Sequence, residues 1–116
     1  MRVFKFGGAS VKDADGIKNV YDVLQKVGYE DVLLVVSAMG KTTNALEDVI
    51  KNYFEKSEEL NSSVQEVKKY HNQILLDLFE DEKNEVFAAV NALFSELEYF
   101  LAHNKSPNYN FVYDQI

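Results

Sequence analysis

The chain has no cysteine, one proline and two histidines in 116 residues. Without cysteine there is no disulfide, no thiolate zinc site and no cysteine nucleophile. His71 and His103 are too few and too far apart in sequence to suggest a metal cluster, and no residue is assigned to a metal. Basic residues are in deficit, 12 against 19 acidic, for a formal net charge of −7. So acidic a surface repels phosphate backbones and argues against nucleic acid as a partner. It leaves small anionic ligands open, because a few local cations suffice for those. No run approaches the roughly 20 apolar residues of a membrane span. The apolar opening Met1 to Phe6 is too short for a signal peptide and ends at Gly7-Gly8. The expectation is a cytoplasmic protein with no membrane partner. Repeats and low-complexity stretches are absent as well.

Hydrophobic residues make up 47% of the chain, enough for a packed core. Val3, Phe4 and Phe6 around Lys5 form a short β-prone segment ended by two glycines. Ile17, Val20, Tyr21, Leu24 and Val27 then fall at helical spacing. Asp13 and Asp15 suit the positive end of that helix and Gly28 its termination. Asp31 to Ser37 is a nearly continuous apolar run and predicts a strand buried on both faces. Strand, helix, strand makes a βαβ unit with parallel strands. Ligand sites in parallel sheets form at the carboxyl ends of strands. Here those ends are Gly7 to Ser10 and Ser37 to Thr43.

The rest reads as helices. Leu46, Val49, Ile50, Tyr53 and Phe54 form one apolar stripe. Ser63 and Glu66 have capping-box spacing before a second stripe, Val67, Tyr70, Ile74, Leu75, Leu78 and Phe79. Val86 to Leu101 carries a third. An acidic turn at Glu80 to Glu82 is expected to join the last two as an antiparallel hairpin. Asn104 to Asn110, with Pro107, reads as a loop, and Phe111 begins another element. Two strands are few for a parallel sheet. The expectation is therefore a fragment of a larger α/β domain.

Two stretches offer chemistry. In Lys5 to Ser10, paired glycines after a strand let backbone amides approach a phosphate. Lys5 is placed to neutralise charge on a transferring phosphoryl group. A plain Gly-Gly turn beside a snorkelling lysine fits equally well. In Ser37 to Asn44, small hydroxyl and amide side chains run into a helix start, which suits a carboxylate or phosphate. Thr42 or Thr43 acting only as a helix cap is the competing reading. Gly40-Lys41-Thr42 is not a P-loop, because Val35 stands where its first glycine belongs. There is also no GxGxxG sequence for a nicotinamide-binding fold. His71 beside the second stripe reads as a packing or surface residue, and the aromatics at helical spacing as core.

Lys5-Phe6-Gly7-Gly8-Ala9-Ser10-Val11 resembles the lysine-phenylalanine-glycine-glycine-threonine-serine opening of aspartate kinases. Val35 to Gly40, with Thr43-Asn44, resembles their second motif, in the right order and at the right separation. The resemblance implies an α/β fold, the N-terminal part of a three-layer αβα amino-acid kinase fold: two parallel strands plus a helix-rich segment. Residues 1–116 would be the N-terminal portion of the catalytic domain, with the rest of that domain and the regulatory ACT domains absent. The implied reaction is ATP-dependent phosphorylation of L-aspartate to 4-phospho-L-aspartate, the first step toward lysine, threonine and methionine, with Mg2+ accompanying the ATP. Motif matching makes Lys5 catalytic. It assigns ATP to Lys5, Phe6, Gly7, Gly8 and Ser10, and L-aspartate to Ser37, Thr43 and Asn44. The full-length enzyme is expected to be a homo-oligomer, and the isolated fragment inactive. Ala9 departs from the family's threonine and removes one hydroxyl from the phosphate loop. Tyr113 to Ile116 resembles the lead-in to a serine-x-glycine-glutamate motif that does not follow. A bifunctional enzyme with homoserine dehydrogenase fused downstream would share these residues. A non-catalytic helical interaction module is the alternative outside enzymology.

Overall fold

The computed structural model describes residues 1–80 and 84–116. It divides into two compact units, Met1–Thr43 and Asn44–Ile116. The first is the expected βαβ unit. Strand β1 (Arg2–Phe6) pairs in parallel with β2 (Val32–Val36), in a register that sets Lys5 beside Val35 and Phe6 beside Val36. Helix α1 (Ala14–Val27) connects them. Its start is fixed by Asp13, whose carboxylate accepts the Gly16 amide at 2.8 Å, satisfying one of the free donors of the first turn. Its end is fixed by Gly28 at φ 83, a conformation that favours glycine. The Arg2 guanidinium donates to the last carbonyls, Val27 at 2.8 Å and Gly28 at 3.3 Å. A cation there complements the helix dipole and ties the start of β1 to the end of α1.

The structure corrects one expectation here. β2 is not buried on both faces: Leu33, Leu34, Val35 and Val36 are 49%, 41%, 43% and 55% exposed. Side chains alternate along a strand, so both faces of the pair are only partly covered. An apolar run shows that a strand can be buried; covering it takes layers on either side, and this pair has two strands and one crossover helix.

The second unit is helical. α2 (Thr42–Phe54) begins at the end of the first unit and continues into it, followed by α3 (Leu60–Phe79), α4 (Glu85–His103) and α5 (Tyr109–Gln115). Val49 of α2, Val64 and Val67 of α3 and Phe94 of α4 form a buried cluster, packed around by Ala45, Leu46, Leu60, Val90, Leu97 and Leu101. These are the positions at which the helical periods coincide. α3 and α4 run antiparallel, because their contacts pair rising with falling numbers: Gln65 with Glu98 at 3.2 Å, Asn72 with Asn91 at 3.5 Å. Glu80, at φ 57, ends α3 by donating its amide to the Leu76 carbonyl. Asp81 and Glu82 of the expected acidic turn lie outside the described residues. Asn104 donates to the Tyr53 hydroxyl at 2.9 Å, holding the end of α4 to that of α2. On α5, Val112 is fully buried and Tyr109 rests on Phe54 with ring centroids 5.2 Å apart.

The capping box at Ser63 and Glu66 does not form. α3 starts at Leu60, and the Ser63 hydroxyl donates backward to the Leu60 carbonyl at 2.7 Å. Leu60 packs on the core cluster, so burial extends the helix one turn before the polar signal. No helix among the described residues is long and apolar enough to cross a membrane.

Candidate functional site

The two strand-end loops meet in the first unit. Past the end of β2 the ladder continues for one bond, the Ser37 amide donating to the Phe6 carbonyl at 3.0 Å. Ser37 follows Val35 by two residues, the strand repeat, and Val35 is the register partner of Lys5. Lys5 and Ser37 are thereby set on one face at the carboxyl end of the strands. Lys5 is exposed, and among the described residues no ion pair or hydrogen bond holds its ammonium.

Gly7 leads into a 3-10 turn, Gly8–Val11, closed by the Ser10 amide donating to the Gly7 carbonyl at 3.0 Å. The two glycines differ. At Gly7 an added Cβ would meet nothing within 4 Å, and φ is −77. The space in front of its backbone is open, and no steric contact within the protein requires glycine there. At Gly8 a Cβ would lie 2.7 Å from the Gly40 carbonyl oxygen and 3.0 Å from that of Ala38. Gly8 is needed by the protein itself, because the second loop passes directly over it. The Gly40 amide completes the contact by donating to the Gly8 carbonyl at 3.0 Å. From the other side Gly16, on the first turn of α1, faces the Ser10 carbonyl so closely that a Cβ would lie 2.5 Å from it. Val11 is buried beside this contact in sequence and anchors the turn. Phe6 is half-buried and Ser10 exposed.

The second loop bends at Gly40, φ 57, and enters α2 at Thr42. The Thr42 hydroxyl donates backward to the Met39 carbonyl at 2.6 Å, and its side chain is buried. It caps nothing forward. Thr43 is exposed, and among the described residues its hydroxyl has no partner. Asn44, the next residue of α2, is exposed and opens the second unit. The structure thus brings Lys5, Phe6, Gly7, Gly8, Ser10, Ser37 and Thr43 into one unit around two touching loops. The contribution of Gly16, and the difference between the two glycines, had no sequence signal; both are matters of backbone approach.

No group of three or more His, Asp or Glu side chains able to hold a metal occurs among the described residues. His71 is a packing residue: Nδ1 lies 2.8 Å from the Val67 carbonyl, and the ring meets Phe94 edge-on at 5.7 Å. A polar cleft of about 290 Å³ in the second unit, lined by Asp48, Lys51, Glu59 and Glu66 among others, contains none of the candidate residues.

The model of the amino acid kinase family matches residues 1–106. The chain belongs to that family. The match takes in both strand-end loops and the helices through α4, which disfavours a purely helical interaction module. Among curated proteins, Aspartokinase 1, chloroplastic, of Arabidopsis thaliana is 50% identical over 44 residues, 38% of this chain and 8% of that protein. The bifunctional aspartokinase/homoserine dehydrogenase 1, chloroplastic, of the same plant is 34% identical over 90 residues, 77% of the chain and 10% of that protein. An aspartokinase of Bacillus sp. (strain MGA3) is 49% identical over 51 residues, 42% of the chain and 12% of that protein. The chain therefore spans about a tenth of the length of the relatives it matches.

Proposed function

We infer that residues 1–116 form part of the catalytic domain of an aspartate kinase, which transfers the γ-phosphoryl group of ATP to the side-chain carboxylate of L-aspartate. The observation that carries this reading is the contact at Gly8 and Gly40, which holds a lysine-bearing phosphate loop against a hydroxyl-bearing loop at one end of a parallel strand pair. Phosphoryl transfer asks the protein mainly to bring donor and acceptor into line and to stabilise charge. In this reading the open backbone at Gly7, with Phe6, Gly8 and Ser10, cradles the ATP phosphates. Lys5 stabilises charge on the moving phosphoryl group. Ser37, Thr43 and Asn44 hold aspartate. A carboxylate oxygen forms the new bond to phosphorus, the bond to the β-phosphate oxygen breaks, and ADP leaves with that electron pair. The acceptor is already an anion, so no protein base is required. Mg2+ belongs to the ATP it arrives with, neutralising phosphate charge, and Lys5 with the loop amides faces the phosphates beside it.

The relatives include both single and bifunctional aspartokinases, and the kinase is what the two kinds of name share. A cytoplasmic, homo-oligomeric whole protein belongs to the same proposal. The test is direct. The protein from the full reading frame carrying these residues is given MgATP and either L-aspartate or L-glutamate, and the acyl phosphate is trapped with hydroxylamine. Aspartyl hydroxamate with little glutamyl product is expected. Phosphorylation of another acceptor, with none of aspartate, would refute the substrate assignment.

A further inference from the structure

Thr42 has the only buried polar side chain among the described residues, at 7% exposure. Thr43, its exposed neighbour, matches the family motif; Thr42 at first reading is only a helix cap. The geometry gives it different work. Its hydroxyl donates to the Met39 carbonyl at 2.6 Å, and its amide donates to the same oxygen at 3.1 Å. The two bonds close the turn across residues 39–42, inside which Gly40 sits at φ 57. With the turn closed, the Gly40 amide donates to the Gly8 carbonyl, and the Gly40 carbonyl oxygen takes the place a Gly8 side chain would need. A buried hydroxyl committed to a main-chain carbonyl is not a substrate contact. Its effect passes through the turn to Gly8.

We propose that Thr42 is a positioning residue that locks the two strand-end loops together, its hydroxyl fixing the turn through which Gly40 grips Gly8. The lock rests on geometry alone; its catalytic consequence rests on the function proposed above. Both substrates can still bind when the loops loosen, but donor and acceptor lose their alignment. A misplacement of about 1 Å costs on the order of a hundredfold in rate. The lock is thus expected in kcat and not in either KM.

The experiment compares Thr42→Val, Thr42→Ser, Gly8→Ala and the Thr42→Val/Gly8→Ala double variant in the protein from the full reading frame. Each is read by kcat, by KM for ATP and aspartate, and by amide exchange at Gly40. Thr42→Val should lower kcat by about tenfold or more, with each KM moving less than about threefold. Gly40 should lose exchange protection. Thr42→Ser, which keeps the hydroxyl, should restore both. The double variant should be no worse in kcat than Gly8→Ala alone, because both changes release one contact. A Thr42→Val protein with unchanged kcat and a protected Gly40 amide overturns the proposal, and so do additive losses. If Thr42→Val does not fold, Gly8→Ala carries the test with Thr42 intact, and a wild-type kcat there overturns it. A wild-type protein inactive on aspartate refutes the function, not the lock. Gly40 exchange then decides alone, and protection kept in Thr42→Val overturns the lock.

Discussion

The two units hold themselves together differently. In residues 44–116, Val49 and Val112 are fully shielded from solvent, and Val64, Val67 and Phe94 are at most 9% exposed. Three helices contribute to one cluster. In residues 1–43, the buried hydrophobic side chains are Val11 and Ala14, while most of β2 is 41–55% exposed. What fixes the first unit is mostly main-chain geometry, a strand ladder, a 3-10 turn and two glycine contacts, together with the Arg2 side-chain bonds to the end of α1. The unit with the better core carries no candidate side chain except Asn44; the unit with the candidates has little core. The better core and the candidate residues lie in different stretches of one chain, so substitutions in the two should differ in kind as well as size.

The sharpest contrast is in stability. Phe94→Ala should destabilise by about 3–5 kcal/mol, the usual range for emptying a buried aromatic site. Leu34→Ala, at 41% exposure, should cost about 1 kcal/mol, since much of that side chain is never withdrawn from water. Urea-unfolding midpoints measure both. Equal losses would mean that the sheet is covered in the whole protein as fully as the helical core, and the contrast between the units would fail.

Thr43→Val probes the chemical side. An exposed hydroxyl without a protein partner should leave stability within about 0.5 kcal/mol. If it binds the aspartate carboxylate, kcat/KM for aspartate should fall by the equivalent of about 1–3 kcal/mol, with ATP little affected. Lost stability with unchanged aspartate kinetics would return Thr43 to the role of a cap.

The smallest effect separates the glycines. Gly7→Ala has room and a compatible backbone, so the midpoint should hold or rise by up to about 1 kcal/mol. Nucleotide affinity should nevertheless drop, because the methyl group stands where a phosphate would approach. Gly8→Ala should lower the midpoint instead, since Gly40 and Ala38 carbonyls are already in the way. An ATP affinity untouched by Gly7→Ala would remove the phosphate from that loop.

The same division explains what could be read from sequence. Helices α1 to α4 followed from the period of their apolar residues, and the parallel pair from two β-prone runs separated by a helix. Both signals are local. The capping spacing at Ser63 misled because burial of Leu60 outweighed it. Burial of β2 could not be judged from its own composition, as it depends on what lies across each face. In the site, Lys5, Gly7, Ser37 and Thr43 were legible as residue types at strand ends. The Gly8–Gly40 approach and the backward bond of Thr42 were not, because they join positions far apart in sequence or reverse an expected donor direction.

The charge-stabilising role of Lys5 is the centre of the catalytic reading, and Lys5→Ala tests it most directly. The measurement is steady-state aspartate phosphorylation by the protein from the full reading frame, wild type against variant, with both KM values resolved. A lysine that acts on the transition state should lower kcat by about two orders of magnitude or more, on the scale of losing one preorganised electrostatic group, while KM for ATP and aspartate changes little. An unchanged kcat, with the whole effect in the KM for ATP, would make Lys5 a binding residue and contradict the assignment.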